Sequence, residues 1–121
     1  MRAASAAVDA ALAALAEPTR RAVVELLRQR PHRAGELADA LAMSPPALSR
    51  HLRVLKAGGL VTDDEPEHDA RVRLYRLQPE GFEALGLWVD EVRSLWTAQL
   101  ASFKAHVEQR ARRAQVSGRR G

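Results

Sequence analysis

The sequence predicts a mainly α-helical domain with one small β-hairpin, and three observations predict it. Apolar residues recur at helical spacing through most of the chain, as in Leu48, Leu52 and Leu55 and in the long series from Phe82 to Val107. Only five of the 121 residues are aromatic, so the core must be built from Ala, Leu and Val, which suits packed helices. A single region, Leu60 to Leu77, has strand propensity, and a polar loop interrupts it. A chain of this length forms one domain with a modest core.

Composition narrows the class further. The formal net charge is +4, and Arg outnumbers Lys 17 to 2. A basic balance favours polyanionic partners such as nucleic acid. There is no cysteine, which excludes a disulfide framework, a thiolate metal site and a cysteine nucleophile. No apolar run approaches the ~18 residues of a membrane span, and Asp9 breaks the Ala-rich start before it can act as a signal sequence. A cytoplasmic protein without a membrane partner is expected.

The first helix is expected over residues 3–15, with Val8, Leu12 and Leu15 as a narrow stripe. Its alanines give propensity but little burial, so it needs a partner surface. Glu17-Pro18 restarts the chain, and Pro18 opens a second helix to about Arg28 with Val23, Leu26 and Leu27 inward. The Pro31-His32 step ends it. A third short helix spans about Ala34 to Leu41, with Leu37, Ala38 and Leu41 inward, and Ala42-Met43 make a tight turn.

The fourth helix begins at Ser44, a good N-cap, with Pro45 at the first helical position, where a missing N–H costs nothing. Leu48, Leu52 and Leu55 form its apolar stripe. Ser49, Arg50, Arg53 and Lys56 lie off that stripe with no acid among them. Gly58 and Gly59 close it. Two short helices around a tight turn, the second with a basic face, make a helix-turn-helix whose second helix suits a DNA major groove.

Leu60-Val61-Thr62 reads as a strand, Asp63 to Asp69 as a loop with five acids and a Pro, and Arg71 to Leu77 as a second strand. This hairpin is the wing of a winged helix-turn-helix. Which face of the second strand is buried stays open. Pro79 opens a fifth helix to about Arg113 with apolar positions Phe82, Leu85, Val89, Val92, Trp96, Leu100, Phe103 and Val107, widened by Trp88 and Leu95. Too little chain remains to cover it, so a second copy is expected to do so in a twofold dimer. The interface would take Leu12, Leu85, Trp88, Val89, Val92, Trp96, Leu100 and Phe103 from the first and last helices. Residues 1–113 are thus expected to form the DNA-binding and dimerisation domain, and 114–121 a disordered basic tail.

These residues, in this order, resemble the arsenic-repressor (ArsR) family of bacterial transcription regulators. The matching pieces are Leu15-Ala16-Glu17-Pro18-Thr19-Arg20, Gly35-Glu36-Leu37-Ala38, Ser49-Arg50-His51-Leu52 with Leu55, Gly59-Leu60-Val61 and Tyr75-Arg76-Leu77. The resemblance covers about residues 12–79. It implies a winged-helix homodimer that binds an operator of imperfect twofold symmetry and represses, with the Ser44 helix as recognition helix. The chain departs from the family in three places. Ala38 and Ala40 stand where metal-sensing members carry paired cysteines, and Asp90 and His106 are too far apart to match the ligands others carry on the last helix. The resemblance therefore points to the metal-free branch, with no metal and no cofactor. Pro45 stands where a polar base-reader is common, and the wing is acidic where the family's is usually basic.

The candidate DNA-binding residues are Ser44, Ala47, Ser49, Arg50, Arg53 and Lys56 on the helix and Arg71 and Arg73 on the wing return. Arg50 is the leading base contact; Arg53 reads a base or neutralises a phosphate. Lys56 and Arg20 are phosphate contacts or solvated cations. His51 either fixes the helix by a hydrogen bond or contacts DNA. Trp88 and Trp96 pack in the dimer interface or line a pocket for a small-molecule inducer. The acidic loop is expected to be solvated. No enzyme is expected: no Gly-rich phosphate loop, GxSxG or HExxH pattern occurs, and Ser49 and His51 point in different directions. The alternative function is a winged-helix protein-interaction module without specific DNA binding.

Overall fold

The structure, a computed structural model, describes residues 2–64 and 73–119. In order, the elements are α1 (Arg2–Leu15), α2 (Pro18–Gln29), β1 (His32–Arg33), α3 (Ala34–Ala40), α4 (Pro45–Ala57), β2 (Val61–Asp64), β3 (Leu74–Leu77) and α5 (Pro79–Arg119). Five helices and a small sheet give the expected class. The chain divides into two units, residues 1–86 and 87–121.

In the first unit, local chemistry sets each helix end. The Glu17 carboxylate accepts the Arg20 N–H at 3.0 Å and caps α2, with Pro18 at its start. Ser44 caps α4 by accepting the Ala47 N–H at 3.3 Å. The α4 terminus closes with the Leu60 N–H on the Leu55 carbonyl at 3.1 Å, around Gly59 at φ 71°. The same closure ends α3, where the Met43 N–H reaches the Ala38 carbonyl at 2.9 Å. Here Ala42 takes the left-handed position, at φ 52°, without the freedom of a glycine.

The core is aliphatic, as the composition requires. Val23, Leu37, Leu48, Leu55, Leu60 and Val61 are its largest fully buried side chains. The stripe of α4 is buried throughout. In α2, Val24 joins Val23 and Leu27 inside, and Leu26 is only partly buried. The inward face of α1 differs from the expected stripe: Val8, Ala11 and Ala14 are buried, whereas Leu12 is exposed. The reason is close approach. A β-carbon added at Gly58 would lie 3.1 Å from both the Ala10 carbonyl oxygen and the Ala14 β-carbon, so α1 meets the end of α4 through its smallest residues. Gly81 on α5 has even less room, since its β-carbon would fall 2.6 Å from the carbonyl oxygens of Gly58 and Gly59.

The sheet corrects the hairpin expectation in three ways. It has three antiparallel strands in the order β1-β3-β2, with His32 opposite Tyr75 and Val61 opposite Leu77. Two residues are too few for β1 to show alternation in the sequence. Asp63 and Asp64, expected in the loop, belong to β2, because cations from α4 and the returning chain neutralise them. Among the described residues the second strand is Leu74–Leu77, and Arg73, expected within it, lies outside it. Its open face is now assigned: Tyr75 and Leu77, two residues apart, pack on the core. The rest of the wing loop, with Arg71, lies outside the described residues.

The second unit is the continuation of α5. Helix persists to Arg119, past the expected end near Arg113, through Ala111, Arg112, Arg113, Ala114 and Gln115, all good helix formers. Its apolar side chains stay exposed, from 37% at Val89 to 67% at Phe103. No described helix is long and apolar enough to cross a membrane.

Candidate nucleic-acid interface

The site is built on α4. Burial of Leu48, Leu52 and Leu55 fixes which way the helix turns, and that leaves Ser49, Arg50, Arg53 and Lys56 exposed on the other side. Arg50 and Arg53 make no ion pair among the described residues. Ser44 is exposed but its hydroxyl is engaged as the N-cap, and Ala47 is half-buried. Pro45 precedes them and lines a small cleft of about 80 Å³ with Ala34, Gly35, Leu48, Ser49, Leu52 and Tyr75.

Lys56 and Arg73 are brought together by a residue the sequence reading placed in a solvated loop. Asp63 has a side chain that is only 5% exposed; Oδ1 pairs with Lys56 Nζ, and Oδ2 lies 3.1 Å from Arg73 Nε. Next to it, Asp64 pairs with Arg76. An open cleft of about 250 Å³ lies between α4 and the returning strand, lined by Ser49, Leu52, Arg53, Lys56, Arg73 and Tyr75. Three cations and two hydroxyl-bearing residues on one cleft favour an anion. No sequence signal marked Asp63, since its partners come from α4 and from beyond the loop.

Arg20 is not simply a solvated cation, because it is tied to the end of α1. Its Nε donates to the Ala14 carbonyl at 2.6 Å and its Nη2 to the Ala13 carbonyl at 3.2 Å. Arg21 donates to the Leu15 carbonyl at 2.7 Å. Helix α1 has no basic residue in its own last turn, so α2 supplies the cations that satisfy its C-terminal carbonyls. Arg20 Nη1 also lies 3.4 Å from His51 Nδ1, and Glu17 Oε2 lies 3.8 Å from that nitrogen. His51 therefore sits where the structural reading of it requires, joining α4 to the α1–α2 corner. Desolvation pushes the Glu17 carboxyl up, but the Arg20 N–H, Thr19 and His51 hold it below its ordinary value.

The start of α3, which precedes α4 across the turn, is held by Glu36. It accepts the Arg33 N–H at 3.1 Å and pairs with Arg30 at 2.9 Å. The Arg33 N–H and then Arg30 lower its carboxyl below the ordinary value.

The residues proposed for a dimer interface are exposed on the single chain at Leu12, Trp88, Val89, Val92, Trp96, Leu100 and Phe103, and half-buried at Leu85. Among the described residues, no three His, Asp or Glu side chains are grouped as a metal ion would require.

Comparison with known proteins gives this arrangement a family. Residues 17–63, from the α2 cap to β2, match the model of the arsR family of bacterial regulatory proteins. The chain is 45% identical over 95 residues to the HTH-type transcriptional regulator Rv2034 of Mycobacterium tuberculosis, covering 78% of this chain and 83% of that protein. It is 47% identical over 66 residues to the HTH-type transcriptional repressor SmtB of the same species, covering 54% of this chain and 47% of that one. Among solved structures it is similar to a crystal structure of an ArsR family transcriptional regulator, with a TM-score of 0.68, 31% identity and coverage of 77% of this chain and 93% of the other. An ArsR-like transcriptional regulator from Rhodococcus sp. RHA1 aligns with a TM-score of 0.69 at 26% identity, over 83% of this chain and 92% of that one. With its winged helix-turn-helix and its basic α4, the chain belongs to the ArsR family of bacterial DNA-binding transcriptional regulators and is not an enzyme.

Proposed function

We propose that this protein is a cytoplasmic, homodimeric, sequence-specific repressor that does not sense metal. The observation that carries it is the exposed Ser49-Arg50-Arg53-Lys56 face of α4, backed by a fully buried leucine stripe. Each protomer lays α4 in a major groove, with half-sites of an imperfectly twofold operator about one helical turn apart. Arg50 reads a base edge, Arg53 a base or phosphate, and Lys56 and Arg73 hold the backbone. Ser44, Ala47 and Ser49 permit close approach of the helix start, and Arg71 adds a contact from the wing.

A second copy covers the exposed apolar positions of α5 and Leu12 of α1. Independence from metal is supported by residue types: the chain has no cysteine, and Ala38 and Ala40 stand on α3. Repression is the mode named for the relative SmtB. Any small-molecule inducer acts by changing the placement of the two recognition helices through the dimer interface.

The test is fluorescence anisotropy with the duplex upstream of the protein's own gene and a scrambled duplex, over a salt series. Contacts to ~6–10 phosphates per dimer predict a loss of ~10³–10⁵ in affinity between 50 and 200 mM salt. Arg50→Ala should weaken operator binding by ~1–3 kcal/mol and leave fold and dimer intact. Unchanged affinity would remove α4 from the recognition role. A protein-interaction module would show no preference for the native duplex at any salt.

A further inference from the structure

Asp63 is at odds with its sequence surroundings. It opens an acidic run, yet its side chain is buried and each carboxylate oxygen faces a cation from a different segment. One cation, Lys56, is on the last turn of α4; the other, Arg73, leads into β3. A carboxylate is tolerated out of water only where paired charges replace its hydration. Here one carboxylate holds both cations at a fixed spacing. Both cations line the 250 Å³ cleft with Ser49, Arg53 and Tyr75, whereas Asp63 is not among the lining residues. The pairing of Asp63 with Tyr75 in the β2–β3 ladder fixes the carboxylate behind them.

We propose that Asp63 is a positioning residue for DNA binding: it sets Lys56 and Arg73 at the spacing that grips one backbone phosphate between the recognition helix and the wing-return strand. This rests on the DNA-binding reading of α4. By charge alone, a carboxylate near a phosphate weakens binding. As the fixed part of a cradle, it strengthens binding by holding two flexible cations in place. The two cases differ in sign.

Asp63→Asn keeps the shape and removes the charge. In anisotropy titrations at one salt concentration, its affinity for the native duplex should fall about tenfold. Its affinity for the scrambled duplex should fall by a similar factor, and the salt dependence of both should become shallower, because a backbone phosphate carries no sequence information. Asp63→Glu, which keeps the charge, should retain more of the affinity than Asp63→Asn. Arg73→Gln removes one of the two cations, and adding Asp63→Asn to it should cost less than about twofold more, since the pair acts as a unit. Tighter or unchanged binding of both duplexes by Asp63→Asn, or full additivity with Arg73→Gln, would overturn the role. If Asp63→Asn alone does not unfold cooperatively, the comparison of Arg73→Gln with the charge-balanced double variant decides by itself. A wild-type chain with no operator preference would overturn the DNA-binding reading and this role with it. A wild-type operator affinity that Asp63→Asn fully retains would overturn the role alone.

Discussion

Helices α4 and α5 are both amphipathic, and their apolar stripes meet opposite fates. On α4, Leu48, Leu52 and Leu55 are at most 3% exposed. On α5 beyond Gly86, every large apolar side chain is at least 37% exposed. The stripe of α4 is satisfied within the chain, by α1, α2, α3 and the sheet. That of α5 has no cover in its own unit. Burying a large apolar side chain is worth ~1.5–3 kcal/mol, so an uncovered row of them is a strong drive to association. In the function proposed above, the difference separates two jobs: α4 is anchored to present its polar face, and α5 keeps its apolar face for a second copy.

The largest expected effect breaks the first half of this contrast. Leu55→Ala removes a fully buried side chain beneath the basic face and should cost ~2–5 kcal/mol of stability. A denaturant midpoint at fixed protein concentration measures it. A cost below ~1 kcal/mol would mean that α4 is not anchored through its stripe.

The next effect breaks the second half. Trp96→Ala should leave the helical content of a dilute sample unchanged while weakening self-association by ~2 kcal/mol, as expected for an interfacial aromatic. Sedimentation equilibrium over a concentration series reads it directly. A protein that is monomeric throughout, or a variant that associates as well as the wild type, would assign the α5 face to something other than a second copy.

The same contrast explains what the sequence could reveal. Local signals are legible: the cap Ser44, the prolines at positions 18 and 45, the closing pair Gly58-Gly59, and the periodic leucines of α4. Each depends on residues within about one turn, so spacing alone exposes it. The candidate helix face was legible for the same reason. What escaped depends on distant partners. His32–Arg33 becomes a strand only because β3 lies beside it. Arg20 turns to the α1 carbonyls, Asp63 is buried by Lys56 and Arg73, and Gly81 is required by the carbonyls of Gly58 and Gly59. Charge patterning took Arg20 and Asp63 for solvent-facing residues because a sequence does not show which charges will meet.

The smallest expected effect sharpens the contrast at the helix that precedes α4. Glu36 holds the start of α3 through the Arg33 N–H and Arg30, and both lower its carboxyl below the ordinary value. A depressed folded value means that the unfolded chain takes up the proton first. The associated stability is therefore present above the unfolded value, ~4.3, and is lost as pH falls through the lower folded value. Glu36→Gln can still accept the Arg33 N–H but cannot titrate or pair with Arg30. It should be slightly less stable than the wild type at pH 7, and the gap should narrow as pH falls from 5 toward 3. Urea midpoints of the two proteins over that range measure the gap. A gap that stays constant or widens on acidification would show that Glu36 contributes through shape rather than charge, and the stability of α3 would then rest, like that of α4, on its buried face.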